Sequence, residues 1–262
     1  MSTAVATQRM VGASPRQLAR MAGGLSLVNI VLGFVALGLV PTVIGVSGNA
    51  AATIHTLQAN ELLYRLGLAA HIIVTVTNVG LAVIFYELFK VVNRRLAMLE
   101  VFLILVATAV EAAGILGEFV PLALLDSAGR SGAFTPEQLQ VLASMPMKLA
   151  ADSYTIYTVF YGLDYLIPST ILIWNATFLP RAFGPLMAID GLGYLTNAFA
   201  AIITPAFAAH LVPYIMLPIL VAEGSLCLWY LIVGVDERRW VERADAARRR
   251  ESMQLGFLTG SG

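Results

Sequence analysis

Residues 152–176 read DSYTIYTVFYGLDYLIPSTILIWNA. The run is apolar and long enough to cross a hydrocarbon layer of about 30 Å, which takes about 20 helical residues. It nevertheless carries Asp164 near its centre. Tyr154, Tyr157, Tyr161 and Asp164 are spaced three, four and three apart, so a helix aligns them along one side. A segment in lipid must satisfy its own backbone hydrogen bonds, and a helix does so. The stretch therefore predicts an all-α membrane fold with polar chemistry buried inside it.

The rest of the chain agrees. Its 262 residues are 58% hydrophobic and 12% charged, where a soluble domain carries about 25% charge. The mean hydropathy is +0.80. Six apolar stretches are long enough to span, at about 22–46, 66–90, 96–122, 152–176, 183–208 and 211–234. The predicted fold is a bundle of six transmembrane helices. A segment 1–21 precedes the membrane domain 22–235, which carries outer loops at 47–65 and 123–151. A tail of mixed charge, 236–262, follows.

Lys and Arg set the orientation. Arg9, Arg16, Arg20, Lys90, Arg94, Arg95, Arg181 and the arginines of 238–250 fall at one set of span ends, against Arg65, Arg130 and Lys148 at the other. The positive-inside rule then places both termini in the cytoplasm, with Trp174, Trp229 and Trp240 near that interface. The expected location is the bacterial cytoplasmic (inner) membrane, crossed several times. The first apolar run exceeds the roughly 7–15 residues of a signal-peptide core, so it reads as an uncleaved span. Thr135-Pro136-Glu137-Gln138 is a helix start, with a capping Thr and Pro in the first turn. The helix it opens is expected to lie on the outer surface, to lid an opening or simply to pack against the helix tops. The tail reads as a solvated helix touching anionic headgroups.

The exclusions are as informative. Net charge is zero, which gives no electrostatic support for a nucleic-acid partner. The single cysteine, Cys227, can form no internal disulfide. The sequence holds no GxSxG, no HExxH and no paired aspartate motif for magnesium on a diphosphate. His55, His71 and His210 lack the i, i+4 spacing of metal ligands. No cofactor and no metal is expected, with a zinc site of one histidine and Glu118 the one alternative left open.

Depth along each helix brings the intramembrane polar groups into register. Glu111, Asp164 and Glu223 fall near mid-membrane, with Asn78 and Asn197 at the same level. Asp190 lies in the inner third of its span, and His71 lies one face-repeat of seven residues from Asn78. Glu100, Glu111 and Glu118 share a helix face. A charge at such depth costs about 2.5–3.5 kcal/mol, and no Lys or Arg lies level with these acids. At least one carboxyl is therefore expected to be neutral or to line a wet cavity. Polar side chains also hold membrane helices together without any chemistry, and that reading applies most directly to Asn78 and Asn197.

Several short motifs carry a family resemblance. They are Tyr64-Arg65-Leu66-Gly67, Tyr86-Glu87-Leu88-Phe89-Lys90, Phe178-Leu179-Pro180-Arg181, Phe183-Gly184-Pro185-Leu186, Gly191-Leu192-Gly193-Tyr194 and Ala222-Glu223-Gly224. Together they resemble the bacterial membrane family DUF4386 across about residues 20–235. The resemblance implies the topology and supplies no mechanism.

Three functions follow as expectations. The first is an intramembrane enzyme, terpenoid cyclase- or isomerase-like, acting on a lipid-soluble, isoprenoid substrate. Asp164 and Glu111 would be its general acids and Glu223 would reload the proton. Tyr154, Tyr157 and Tyr161 would stabilise cations by their ring faces, and Asn78, Asn197, His71 and Asp190 would line the substrate site. The second is a proton-coupled small-molecule transporter or channel, relaying protons through Glu100, Glu111 and Glu118. The third is a non-catalytic membrane scaffold. The expected partners are a lipid-soluble small molecule and membrane lipids, with homo-oligomer formation left open.

Overall fold

The structure, a computed structural model, describes residues 13–44, 56–123 and 136–259. The expectations at Arg9, Arg130 and Thr135, and the tips of both outer loops, lie outside them. Regular structure among the described residues is helical throughout. Helix α1 (Pro15–Gly33) runs through a π-helical stretch, Phe34–Leu39, into a short continuation, Val40–Ile44. It is followed by α2 (Glu61–Glu118) and α3 (Pro136–Asp164). A second π-helical stretch, Tyr165–Ser169, extends α3 into Thr170–Asn175. The remaining helices are α4 (Phe183–Ile203), α5 (Pro205–Ile232) and α6 (Glu237–Thr259).

Among the described residues, five helices are long and apolar enough to cross a membrane. The reason for five rather than six lies at Asn93. At 1.5 Å per residue, the 58 residues of α2 make a helix of about 87 Å, nearly three hydrocarbon thicknesses. The helix is not continuous: Asn93 has φ −154° and ψ 106°. Its side-chain oxygen accepts the backbone N–H groups of Arg95 and Leu96 at 3.1 and 3.2 Å. This is an N-cap, so a new helix begins there. The apolar runs expected at 66–90 and 96–122 are the two arms of α2, and each is long enough to span.

Helix α3 begins at Pro136, as the turn chemistry predicts. It does not stop before the span. One helix runs from Pro136 to Asp164, with Pro146 inside it.

The chain divides into two compact units. One comprises Met1–Leu27, Gly80–Leu103 and Tyr161–Gly262. Its core packs Leu18, Ala22, Ile84, Phe89, Leu172, Met187 and Tyr230. Glycines set its helix crossings. A Cβ on Gly191 would lie 2.5 Å from the Leu166 backbone nitrogen and 2.6 Å from the Gly162 carbonyl oxygen, so α4 meets the end of α3 backbone to backbone. Gly23 likewise lets α1 touch Leu231, and the Cys227 thiol donates to its carbonyl at 3.4 Å. Thr204 alone separates α4 from α5, leaving the helical region (φ −140°, ψ 73°) before Pro205 at the start of α5. Gly234, with φ 77°, ends α5 in the left-handed conformation. Helix α6 docks through the Trp240 indole N–H, which donates to the Leu88 carbonyl at 2.9 Å.

The other unit comprises Val28–Val79 and Ile104–Phe160. Its core holds Val40, Ile44, Leu57, Tyr64, Leu68, Ile115 and Leu122. Here a Cβ on Gly117 would lie 2.5 Å from the Pro146 carbonyl oxygen, so the second arm of α2 meets α3 closely. In both units the exposed helix faces are apolar, with Val76, Phe102, Ile203 and Leu217 all more than half exposed. Apolar faces on this scale match a lipid surface.

Candidate functional site

In the second unit the two arms of α2 bring one histidine between two glutamates. His71 Nε2 lies 3.2 Å from Glu111 Oε1, and His71 Nδ1 lies 3.1 Å from Glu118 Oε1. The Thr75 hydroxyl is 3.3 Å from Glu111 Oε2 and 2.9 Å from the His71 carbonyl, and the Tyr64 hydroxyl donates to the Glu118 carbonyl at 2.7 Å. His71 and Glu111 are buried, while the Glu118 side chain is 25% exposed. Each ring nitrogen must donate a proton to its carboxylate or accept one from a carboxylic acid. The three groups therefore form a hydrogen-bonded line from a sealed carboxyl to one that meets the surroundings. Both imidazole nitrogens are occupied by this arrangement, and no metal-binding group of three or more His, Cys, Asp or Glu occurs among the described residues.

Next to this chain in sequence, Asn29 of α1 donates to Asn78 Oδ1 at 2.5 Å and accepts the Thr77 hydroxyl. Asn78 thus joins two helices, the role that polar glue would give it. Tyr154 and Tyr157 stack with ring centroids 5.4 Å apart.

The first unit holds two more acidic groupings. Glu100, Asp164 and Ser169 are 3%, 1% and 5% exposed. The Ser169 hydroxyl donates to Glu100 Oε1 at 3.4 Å and also bonds to Asp164. Ser169 reaches Asp164 because the intervening turn is π-helical, which stacks residues five apart. Pro168, inside that turn, has no N–H for the carbonyl of residue 164 four positions earlier.

The second grouping lies on the α4–α5 hairpin. The Tyr194 hydroxyl donates to Glu223 Oε1 at 2.8 Å, and Tyr165 also bonds to Glu223. Asp190 is fully buried close by, and neither of its carboxyl oxygens has a partner. The rings of Tyr161, Tyr165 and Tyr194 pack at centroid distances of 5.3 to 6.3 Å. Asn197 presents an unpaired Oδ1. Among the described residues, no Lys or Arg is ion-paired with Glu100, Asp164, Asp190 or Glu223.

The residues expected at one membrane level fall into distinct groupings. Glu111 joins His71 and Glu118; Asp164 joins Glu100; Glu223 joins Asp190. The tyrosine stripe divides between the units after Phe160, with Tyr154 and Tyr157 in one and Tyr161 and Asp164 in the other. Asn29, Ser169, Tyr165 and Tyr194 were not singled out in the sequence. Tyr194 had a legible signal, lying one helical turn after Asp190. Ser169 had none, since a spacing of five belongs to opposite sides of an ordinary α-helix.

At the ends of α1 and α5, a cleft of about 440 Å³ is lined by Arg16, Phe178, Trp229, Gly234, Asp236 and Arg238. Arg239 pairs with Asp236 and Arg238 with Glu242, so the cleft reads as a solvated joint before α6.

A family model described as a domain of unknown function, DUF4386, matches residues 21–234. No curated protein and no solved structure matches the chain.

Proposed function

The chain belongs to the DUF4386 family, and from that premise we propose that it is a proton-coupled small-molecule transporter of the bacterial cytoplasmic membrane. The observation that carries this reading is His71 held between Glu111 and Glu118. An imidazole can take a proton on one nitrogen and release one from the other. With Glu111 sealed and Glu118 partly exposed, the line offers a route between a buried site and one side of the membrane. Six crossings with both termini cytoplasmic complete the proposal, supported by the two arms of α2 and by the Lys and Arg distribution. The test is proton flux into proteoliposomes carrying an internal pH dye. Wild-type protein dissipates an imposed pH gradient and Glu111→Gln does not. Equal flux from wild type, Glu111→Gln and empty vesicles rejects the reading.

A second reading is the intramembrane enzyme acting on an isoprenoid-like substrate. It is favoured by the unpaired oxygens of Asp190 near the cluster of Tyr161, Tyr165 and Tyr194, with a further unpaired oxygen on Asp164, one residue before Tyr165 in sequence. A carboxylic acid facing aromatic rings suits protonation of an alkene, with the rings stabilising the cation. In that chemistry Asp164 is the acid, and Glu223 holds the proton that reloads it. Lipid extracts of cells supplied with prenylated precursors test it. A product made by wild type and absent with Asp164→Asn supports an enzyme, and identical extracts remove it.

A further inference from the structure

We propose that Glu100, Asp164, Ser169 and Tyr230 form a binding site for a dehydrated monovalent cation of sodium size. The site lies within the first unit and goes beyond the proton chain of Glu111, His71 and Glu118, which belongs to the other.

A count of donors and acceptors leads to it. Ser169 has one hydroxyl proton and stands between two carboxyls. After its bonds are made, Glu100 Oε2 and Asp164 Oδ1 have no partner. The hydroxyl of Tyr230, a residue only 1% exposed, is independently without a partner and lies within charge-interaction range of Glu100. Its ring is held by Phe85 at a centroid distance of 6.2 Å, so the hydroxyl has little freedom to turn elsewhere. Buried polar atoms in native proteins are paired in about nine cases of ten or more. Three unpaired oxygens from three helices, two of them on the carboxyls that flank one serine, call for something that binds oxygen.

The chemistry selects the occupant. All candidate ligand atoms are oxygens, the preference of hard cations. Two acids provide the charge, and the described residues supply no basic partner to either. One cation and one retained proton make the group neutral. A divalent ion would call for more carboxylates or several waters. The π-helical turn at Tyr165–Ser169 adds a break in regular backbone, the kind of place where membrane helices coordinate ions.

The experiment uses the full chain in lipid nanodiscs. Its unfolding temperature is followed against sodium chloride, potassium chloride and choline chloride at constant ionic strength, and against calcium chloride. Sodium is expected to raise the unfolding temperature above that in choline in a saturable manner. The sodium midpoint should rise at least tenfold in Asp164→Asn and in Tyr230→Phe. Tyr230→Phe removes a single oxygen, so it carries the test if Asp164→Asn does not fold. Identical unfolding in sodium, potassium and choline overturns the proposal, as does an unchanged sodium response in Tyr230→Phe. Stabilisation by calcium alone overturns the monovalent assignment. None of these readouts uses proton flux, so this site and the proposed transport function can fail separately.

Discussion

His71 Nε2 lies 3.2 Å from Glu111 Oε1, although 40 residues separate them along α2. The contact exists because Asn93 interrupts that helix, which turns one long apolar stretch into two arms that share a polar line. If protons pass along the line, its members act in series. Glu111→Gln and His71→Gln should each reduce proton flux at least about tenfold, a change of about 1.4 kcal/mol in the limiting step. The double variant should be no slower than the worse single one, because a broken chain cannot be broken again. Flux losses that simply multiply would show that the two residues act independently.

Gly191 offers a test of packing. A methyl group there would press on the Leu166 nitrogen and the Gly162 carbonyl oxygen, both backbone atoms that cannot rotate aside. Gly191→Ala should cost about 1–3 kcal/mol or more, as overpacking does. Gly24 has nothing within 4 Å of the same methyl position. Gly24→Ala should be neutral or stabilise by up to about 1 kcal/mol, from helix propensity alone. Thermal unfolding of the two variants in detergent measures the contrast. Equal effects would mean that α4 does not meet α3 through Gly191.

These residues also show what a sequence can and cannot disclose. Hydrophobic length located the long apolar helices found among the described residues, because lipid imposes it residue by residue. The start of α3 at Pro136 was legible for the same local reason, since first-turn chemistry is written in neighbouring residues. The acids were legible as costs, and each is buried or nearly so. Their partners were not. Depth along separate helices placed Glu111, Asp164 and Glu223 level, but depth is one coordinate of three. Which acid meets which group depends on helix rotation, and a π-helical turn resets that rotation at Ser169. Asn93 falls between the expected spans 66–90 and 96–122, and its capping role needed the backbone angles.

Asn93 itself can be tested. Its side chain satisfies the N–H groups of Arg95 and Leu96. Asn93→Ala should cost about 1 kcal/mol, while Asn93→Asp should lose much less because it caps equally well. Because the cap sits between the two arms of α2, Asn93→Ala should also speed hydrogen exchange at Arg95 and Leu96. Unchanged exchange at those two amides would argue against the cap.

The hydrogen bond from Tyr194 to Glu223 allows a different separation, of structure from chemistry. At 2.8 Å it has an ordinary O–H···O length, and when Glu223 is ionised it is charge-assisted, a kind of bond that contributes about 1.5–3 kcal/mol. Tyr194→Phe removes the donor without changing the ring, which still packs on Tyr161 and Tyr165. Stability should fall by about 1–3 kcal/mol, because Glu223 loses a partner in a buried place. Glu223→Gln should fall by less, since an amide costs less to bury than a carboxylate. In the double variant the losses should not add, and the shortfall is the coupling energy of the pair. If Glu223 is purely structural, transport and lipid chemistry should follow folded protein yield in all three variants. If it handles protons, Glu223→Gln should lose activity while retaining its fold, and Tyr194→Phe should keep activity with a shifted pH profile. The two patterns differ in which variant loses function, so unfolding curves and activity measured on the same preparations decide between them.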